Sequence, residues 1–542
     1  MIESQETNIN LNESVEIVSN LDFTSIVELN YIENIVSEKK KVLFEKCVFR
    51  EGVFFNINTT NTAFSQLDIM FEDCIIGKNK SKNIINSNKA KQKLFLYFNS
   101  CLITDLELEK CNFVNASFFK CIILERLLIV DSTIRVITIR NSFGRAFINN
   151  NPKTHLSIYY ADENLFIKDY NIREINQELK KRDSLDKIFS FKTNFHISNT
   201  RDINIGFKKT LGSGIKRIKN NDDSLKEIKY YLTDSDKKKL DISVSIRLTP
   251  GITKSVNISN ALLKDISLQG DSDSTIDIKH TICNRLFIND FRGAKLLLYD
   301  FNSGLIDSKL EIKNSDLSNT WFNKVQLNNF DIVSFYRTTL ENTKFSATEF
   351  PKTIEALENI HYPLKKEPEY YNNQYENYKQ LKISLSAQHN QIQALQMHRK
   401  MYESIRLSEK LSPQDKFILC LNNISNKHGT SISHSFICFI ILLGVLYLCY
   451  TLTLPQAPYD FGWNGIESFK ISISETTDFI SNQWKNIYLL ANPTHRISQL
   501  IENNSNQEIS GMNYFISFVS RILIGWTYYQ FVSAFRKFGK KI

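Results

Sequence analysis

The sequence predicts an all-β solenoid followed by a long α-helix and two transmembrane α-helices. Three observations carry that class. Large apolar residues recur at every fifth position in two tracts, Ile103 to Leu128 and Ile312 to Phe350. No Asp, Glu, Lys or Arg occurs between Lys427 and Asp460. A second apolar stretch, Tyr514 to Phe535, runs into Arg536, Lys537, Lys540 and Lys541. A length of 542 residues allows several domains, and the mean hydropathy of -0.26 makes most of the chain water-facing.

Residues 1–40 carry no motif and read as a leader or cap. The opening is acidic and lacks the apolar core of a secretory signal. Export of the soluble part is therefore not expected, and the segment at Ser435 must itself direct insertion. Nine cysteines form no CxxC pair and no zinc-like spacing, which fits reduced thiols in a cytoplasmic compartment.

From Lys41 to Phe350 a repeat governs the chain. Apolar-x-x-Cys-x-apolar recurs at Phe44/Cys47/Phe49, Phe71/Cys74/Ile76, Phe98/Cys101/Ile103, Leu108/Cys111/Phe113 and Phe118/Cys121/Ile123. The five-residue steps run Ile103, Leu108, Phe113, Phe118, Ile123, Leu128. They return at Ile312, Leu317, Phe322, Leu327 and Ile332, and again at Phe335, Leu340, Phe345 and Phe350. Small side chains stand two residues ahead of many of these, among them Cys101, Cys111, Ala116, Cys121, Ser315, Thr320, Thr338, Thr343 and Thr348. A period of five fits neither a 3.6-residue helix nor plain strand alternation. Coils burying a common core satisfy it. The pattern resembles the pentapeptide-repeat proteins. That likeness implies a right-handed, four-sided β-helix with twenty residues per coil. It places Cys47, Cys74, Cys101 and Cys121 in one interior ladder, as a metal or redox column or, as we favour, as small core residues.

The stretch 168–239 breaks the pattern with 18 Lys/Arg against 11 Asp/Glu, a net of +7. It reads as a basic insertion within about 160–240. Phe189, Phe191, Phe195 and Phe207 lie among its charges. Nucleic acid or anionic headgroups would suit such a surface. Because acids are interspersed throughout, a solvated insertion is favoured over a nucleic-acid partner.

Pro351, Pro363 and Pro368 mark a linker over 351–368. A helical stalk over 369–430 follows, with one long helix from Glu369 to Leu411. Tyr378, Leu381, Leu385, Ile392, Leu395 and Tyr402 would form its apolar stripe. A shorter amphipathic segment, Gln414 to Asn426, leads to the uncharged run. Ser435 to Leu454 rises about 30 Å as a helix, the hydrocarbon thickness of a bilayer. The loop 455–511 carries six acids against Lys470, Lys485 and Arg496. With the basic C-terminal end, this predicts two spans, both termini cytoplasmic and the loop outside the inner membrane of a bacterium. Asn464–Leu490 is expected to lie as an amphipathic helix on the outer face.

Arg521 is the costly residue of the second span, at ~2.5–3.5 kcal/mol for a central charge. It is expected to snorkel to lipid phosphate or, alternatively, to face a pore or helix interface together with Tyr528. Gln530 lies on the opposite side. No potassium-filter sequence occurs in the loop. The C-terminal third resembles a recurrent bacterial type that joins such repeats to a Tyr-x-x-Leu helix and a two-span tail. The matching residues are Tyr378-Lys379-Gln380-Leu381-Lys382, Ala394-Leu395, Asn492-Pro493-Thr494-His495 and Ser533 to Lys540. The resemblance implies a membrane-tethered repeat protein and no particular activity.

Nine scattered histidines stand beside no nucleophile, metal or nucleotide motif, so enzymatic chemistry and cofactors are not expected. The expected role is a cytoplasmic binding or scaffold module with an unidentified protein partner, fixed to the bilayer. The alternative is a homo-oligomerising sensor–effector whose hairpins assemble into a pore, an architecture suited to bacterial defence.

Overall fold

The computed structural model describes residues 7–8, 15–23, 27–28, 39–50, 53–56, 66–77, 83–86, 93–140, 142, 144–149, 154–160, 192–207, 241–303, 307–360, 369–408, 411–454, 475–494 and 511–539. The chain divides into two compact units, Met1–Lys366 and Glu367–Ile542.

The first unit is a β-solenoid. Its 28 described strands belong to a single sheet in which every ladder is parallel, so each coil hydrogen-bonds to the one before and the one after. Side chains alternate along the strands, and the inward ones stack in register. One column runs Phe44, Phe71, Phe98, Phe118, Ile139, Ile158, Ile205, Ile258, Ile278, Leu298, Phe322 and Phe345. Successive rings of the first four lie 5.0, 4.9 and 5.0 Å apart and nearly parallel, a dry stack that adds about 0.5–1.5 kcal/mol per pair beyond area burial. A second column faces it from Ile85 through Leu108, Ile129, Ile148, Ile197, Ile246, Leu268, Ile288 and Ile312 to Phe335.

The corners have a recurring construction. Two residues after the inward side chain, the backbone turns left-handed: Lys46, Asp73, Ser100, Lys120, Asn260, His280, Asp300, Lys324 and Ala347 all have φ between 48° and 54°. The next residue swings back into the core. The turning residue's own N–H bonds to the following coil, as from Lys46 to Glu72 O at 2.8 Å and from Lys120 to Arg140 O at 3.0 Å. An L-residue there costs roughly 1–2 kcal/mol, so packing above and below must hold the corner.

The five-residue tracts are buried as far as Ile123 and again from Ile312 to Phe345. Leu128 departs from the step: Leu127 and Ile129 are buried instead. A register shift between Ile103 and Asp105 adds a residue to the later coil, so Leu108 stacks on Ile129. A further correction concerns the basic insertion, which is not continuous. Lys192–Ser198 and Asp202–Phe207 are strands of the solenoid, with Phe195, Ile197, Ile203 and Ile205 inside. Residues 161–191 and 208–240, including Phe189 and Phe191, lie outside the described residues. The described strands on either side end and begin at equivalent positions, since Tyr160 pairs with Phe207 and Lys192 with Asp241. Beyond Phe350 the chain makes one more bridge, Glu355 to Ser334.

The second unit is helical. The long helix expected over 369–411 is two, α1 (Tyr370–Ala387) and α2 (Gln391–Leu407), packed as an antiparallel hairpin. His389, at φ 59°, reverses the chain, and the Asn390 side chain caps α2 by accepting from the Gln393 N–H. The reversal resets the apolar phase. Tyr378, Leu381 and Leu385 are buried, but Ile392 is 75% exposed and α2 buries Ala394, Met397, His398 and Met401 instead. Then come α3 (Pro413–Asn426), α4 (Ile432–Leu452), α5 (Lys485–Ala491) and α6 (Gly511–Gly539). Three consecutive left-handed residues, Lys427, His428 and Gly429, turn the chain between α3 and α4. Among the described residues α4 alone is long and apolar enough to cross a membrane, at 21 residues and a hydropathy of 2.4.

Candidate functional site in the helical unit

The site is built on α6, whose two sides differ. Asn513, Ser517, Ser520, Ile524, Thr527 and Ala534 are all buried, at the three- and four-residue spacing of one helical stripe. Met512, Phe515, Phe518, Ile522, Tyr529, Val532 and Phe535 are exposed on the rest. A helix of a water-soluble protein shows the reverse arrangement. On α4 Phe436, Ile437, Ile440, Ile441, Val445 and Leu448 likewise face outward, while Ser435 and Thr451 are buried along with Leu446, Tyr447 and Tyr450.

Polar side chains on the stripe bond across to neighbouring helices. Asn513 Nδ2 donates to Tyr450 O at 2.9 Å and to Thr453 Oγ1 at 2.8 Å. At the other end Gln530 Nε2 donates to Asn422 Oδ1 at 3.0 Å, while Gln530 Oε1 accepts from Asn426 Nδ2. Asn426 Oδ1 in turn accepts from the Gly429 N–H at 2.7 Å, fixing the left-handed turn. Two amide clamps thus tie α6 to α4 and α3. Gln530 is 7% exposed and occupied by α3, so it faces neither lipid nor a lumen. Tyr528 is 45% exposed and meets Phe439 edge-on at 5.4 Å.

Residues 475–494, the described part of the loop, pack against α4 and α6, while 464–474 of the expected surface helix lie outside the described residues. Leu490 of α5 is fully buried against Tyr447, Tyr450 and Leu454, with Phe479, Ile480, Ile487 and Ile516 around them. Tyr447 donates its hydroxyl to Ile480 O. Just past α5, Pro493 Cβ stands 3.8 Å from where a Cβ on Gly525 would be, roughly 21 Å along α6 from its start. Residues 475–494 therefore run down alongside both helices. Apolar side chains at 479, 480, 487 and 490 find partners there that an outer surface would not provide.

Arg521 sits one turn before Gly525, on the side of α6 that Pro493 approaches. Its Nε and Nη2 are fully buried, and neither has a hydrogen-bond partner among the described residues. No acid lies on α4 or α6, and Glu475 and Asp478 of the loop are exposed.

The structure brings Cys47, Cys74, Cys101 and Cys121 together in the solenoid core, each fully buried. Their thiols donate one coil back, to the carbonyls of Val18, Phe44, Phe71 and Phe98 at 3.3, 3.2, 3.4 and 3.5 Å. Ser142 Oγ, Thr338 Oγ1 and Thr348 Oγ1 make the equivalent bond elsewhere, to Phe118 O, Ile312 O and Phe322 O. The column is thus a general corner device that accepts a thiol or a hydroxyl. Burial pushes the Cys101 thiol well above its ordinary range, while hydrogen bonds from Cys101 and Cys47 pull Cys74 down to about 4. On the solenoid exterior, a shallow hollow of about 300 Å³ is lined by Asp277, Lys295, Leu297, Asn319, Trp321 and Lys344. Trp321 is 41% exposed, its indole N–H held by Ser346 Oγ at 3.0 Å.

Sequence reasoning missed this hollow, because Trp321, Leu297 and Lys344 become neighbours only through coil register. It also missed the buried stripe of α6, whose small polar residues were diluted by the apolar ones on the outer side. Comparison with family models, with characterised proteins and with solved structures gave no match.

Proposed function

We propose that the chain is a membrane-tethered binding scaffold, with the solenoid as the recognition module and the helical unit as its anchor. The observation that carries this reading is the inverted polarity of α4 and α6. Each buries polar groups and presents large apolar side chains outward, an arrangement favoured only where the surroundings are hydrocarbon. On this reading α6 is a second span antiparallel to α4. Its 29 residues are about 43 Å long, more than a bilayer core needs. The basic residues from Arg536 onward then place that end on the cytoplasmic side, together with the start of α4 and the solenoid.

The solenoid supplies stacked flat surfaces, and the hollow beside Trp321 offers an aromatic face bordered by Lys295, Lys344 and Asp277 for a protein partner. The repeat spacing, the left-handed corners and the small inward residues support assignment to the pentapeptide-repeat class, with bacterial inner-membrane residence following from the same resemblance.

A second reading is an oligomerising effector. The polar stripe of α6 and the loop packed beside it favour this reading, although two helices cannot enclose a pore without further copies. Membrane potential separates the readings in cells overproducing the full chain or a version ending at Leu411. An inserted full chain that leaves the potential unchanged supports the scaffold. Depolarisation by the full chain only would replace it with the effector.

A further inference from the structure

We propose that Arg521 and the turn after α5 form a binding site for a single phosphate-class anion within the depth of the helical unit. The inference rests on the membrane reading above. A guanidinium keeps its charge throughout the biological pH range and presents a planar fork of N–H donors. Two of those donors on Arg521, Nε and Nη2, are buried without an acceptor among the described residues. The hydroxyls nearest along the helix are already committed: Ser520 Oγ donates to Ser517 O at 2.8 Å, and Thr527 Oγ1 to Ile524 O at 2.8 Å. No carboxylate stands on α4 or α6 to serve as a counter-ion.

Buried guanidinium donors left unpaired are unfavourable, whereas donors that meet an oxyanion form short, charge-assisted bonds. The Nε and Nη2 pair is the edge of the guanidinium that takes two oxygens of a phosphate at once. Gly525, one turn on, lets Pro493 approach this side of α6, since a Cβ there would lie 3.8 Å from Pro493 Cβ. Asn492 Oδ1 is taken by the Thr494 N–H and hydroxyl, at 3.0 and 2.8 Å, so it does not serve as the missing acceptor. With no acceptor among the described residues, the partner proposed is an oxyanion, either the phosphate of a lipid headgroup or a free inorganic anion.

The test uses the full chain, extracted from membranes in mild detergent, with Arg521→Gln and Arg521→Lys beside it. Native mass spectrometry counts retained phospholipid, and thermal denaturation is followed in inorganic phosphate against chloride at equal ionic strength. Retained phospholipid that Arg521→Gln reduces about tenfold or more identifies the lipid source. No retained lipid, with a melting temperature raised by phosphate only in the wild type, identifies a free anion. If neither occurs in an inserted wild-type chain, the proposal is overturned. Should Arg521→Gln fail to fold, Arg521→Lys decides. It keeps the charge without the planar fork, and undiminished retention or phosphate response would remove the guanidinium from the site. A wild-type chain absent from the membrane fraction would instead overturn the anchor reading on which the site rests.

Discussion

Many corners of the solenoid turn on a non-glycine residue held at positive φ. Ala347 has φ 48°, its side chain is exposed, and the residue after it, Thr348, donates into the core. Ala347→Gly removes the clash of Cβ with the backbone, so it should raise stability by about 1 kcal/mol, although Ala→Gly elsewhere lowers it by a similar amount. The shift in the urea midpoint of the full chain measures the sign. The buried thiols make a second prediction. Cys101 holds its proton well above the 9.0 of a free thiol because the core excludes charge. Its contribution is complete below that value and is lost as the pH rises beyond it, because only the unfolded chain can then ionise. The midpoint should therefore fall between pH 8 and pH 10 in the wild type and fall less in Cys101→Ala. The corner's tolerance of hydroxyls, seen at Ser142 and Thr338, makes Cys101→Ser the mild change, and Cys101→Leu should cost about 1–3 kcal/mol by overpacking.

At the scale of elements, the helices show what local pattern conveys and what it does not. The limits of α4 were legible to within a few residues, because an uncharged run of bilayer length is too long and too uniform for the core helix of a water-soluble domain. The α1–α2 reversal was not, since His389 is no turn former by composition and reverses the chain through the αL conformation and the cap at Asn390. The five-residue period located inward positions in both tracts, although paired positions are 20 residues apart from Phe98 to Phe118 and 23 apart from Phe322 to Phe345. It lost phase at Leu128, where one inserted residue leaves composition unchanged. Within α6 the informative residues are the polar ones, and Gln530 is the most constrained of them. Gln530→Leu would remove the partner of the buried Asn426 Nδ2 and of the half-buried Asn422 Oδ1, at a cost of about 1–3 kcal/mol, while Gln530→Glu keeps an acceptor for Asn426. Thermal denaturation of the detergent-solubilised chain should rank them wild type, Glu, then Leu.

For the molecule as a whole, the division near Lys366 separates two folds and, on the membrane reading, two solvents. A chain ending at Lys366 is expected to stay in the aqueous fraction with a β-rich circular dichroism spectrum. The full chain should pellet with membranes, resist alkaline carbonate and leave only with detergent. Recovery of the full chain in the carbonate supernatant would count against insertion. The parallel ladders across 161–191 and 208–240 have a further consequence. Tyr160 and Phe207 occupy the same rung position, as do Lys192 and Asp241, so the strands that flank these two stretches stay in register. Closing a loop of twice the length costs only about 0.6 kcal/mol more. This corner is thus a port for grafting: a fluorescent domain or an affinity tag spliced between Phe207 and Asp241 would ride on the scaffold while the coils on either side keep their pairing.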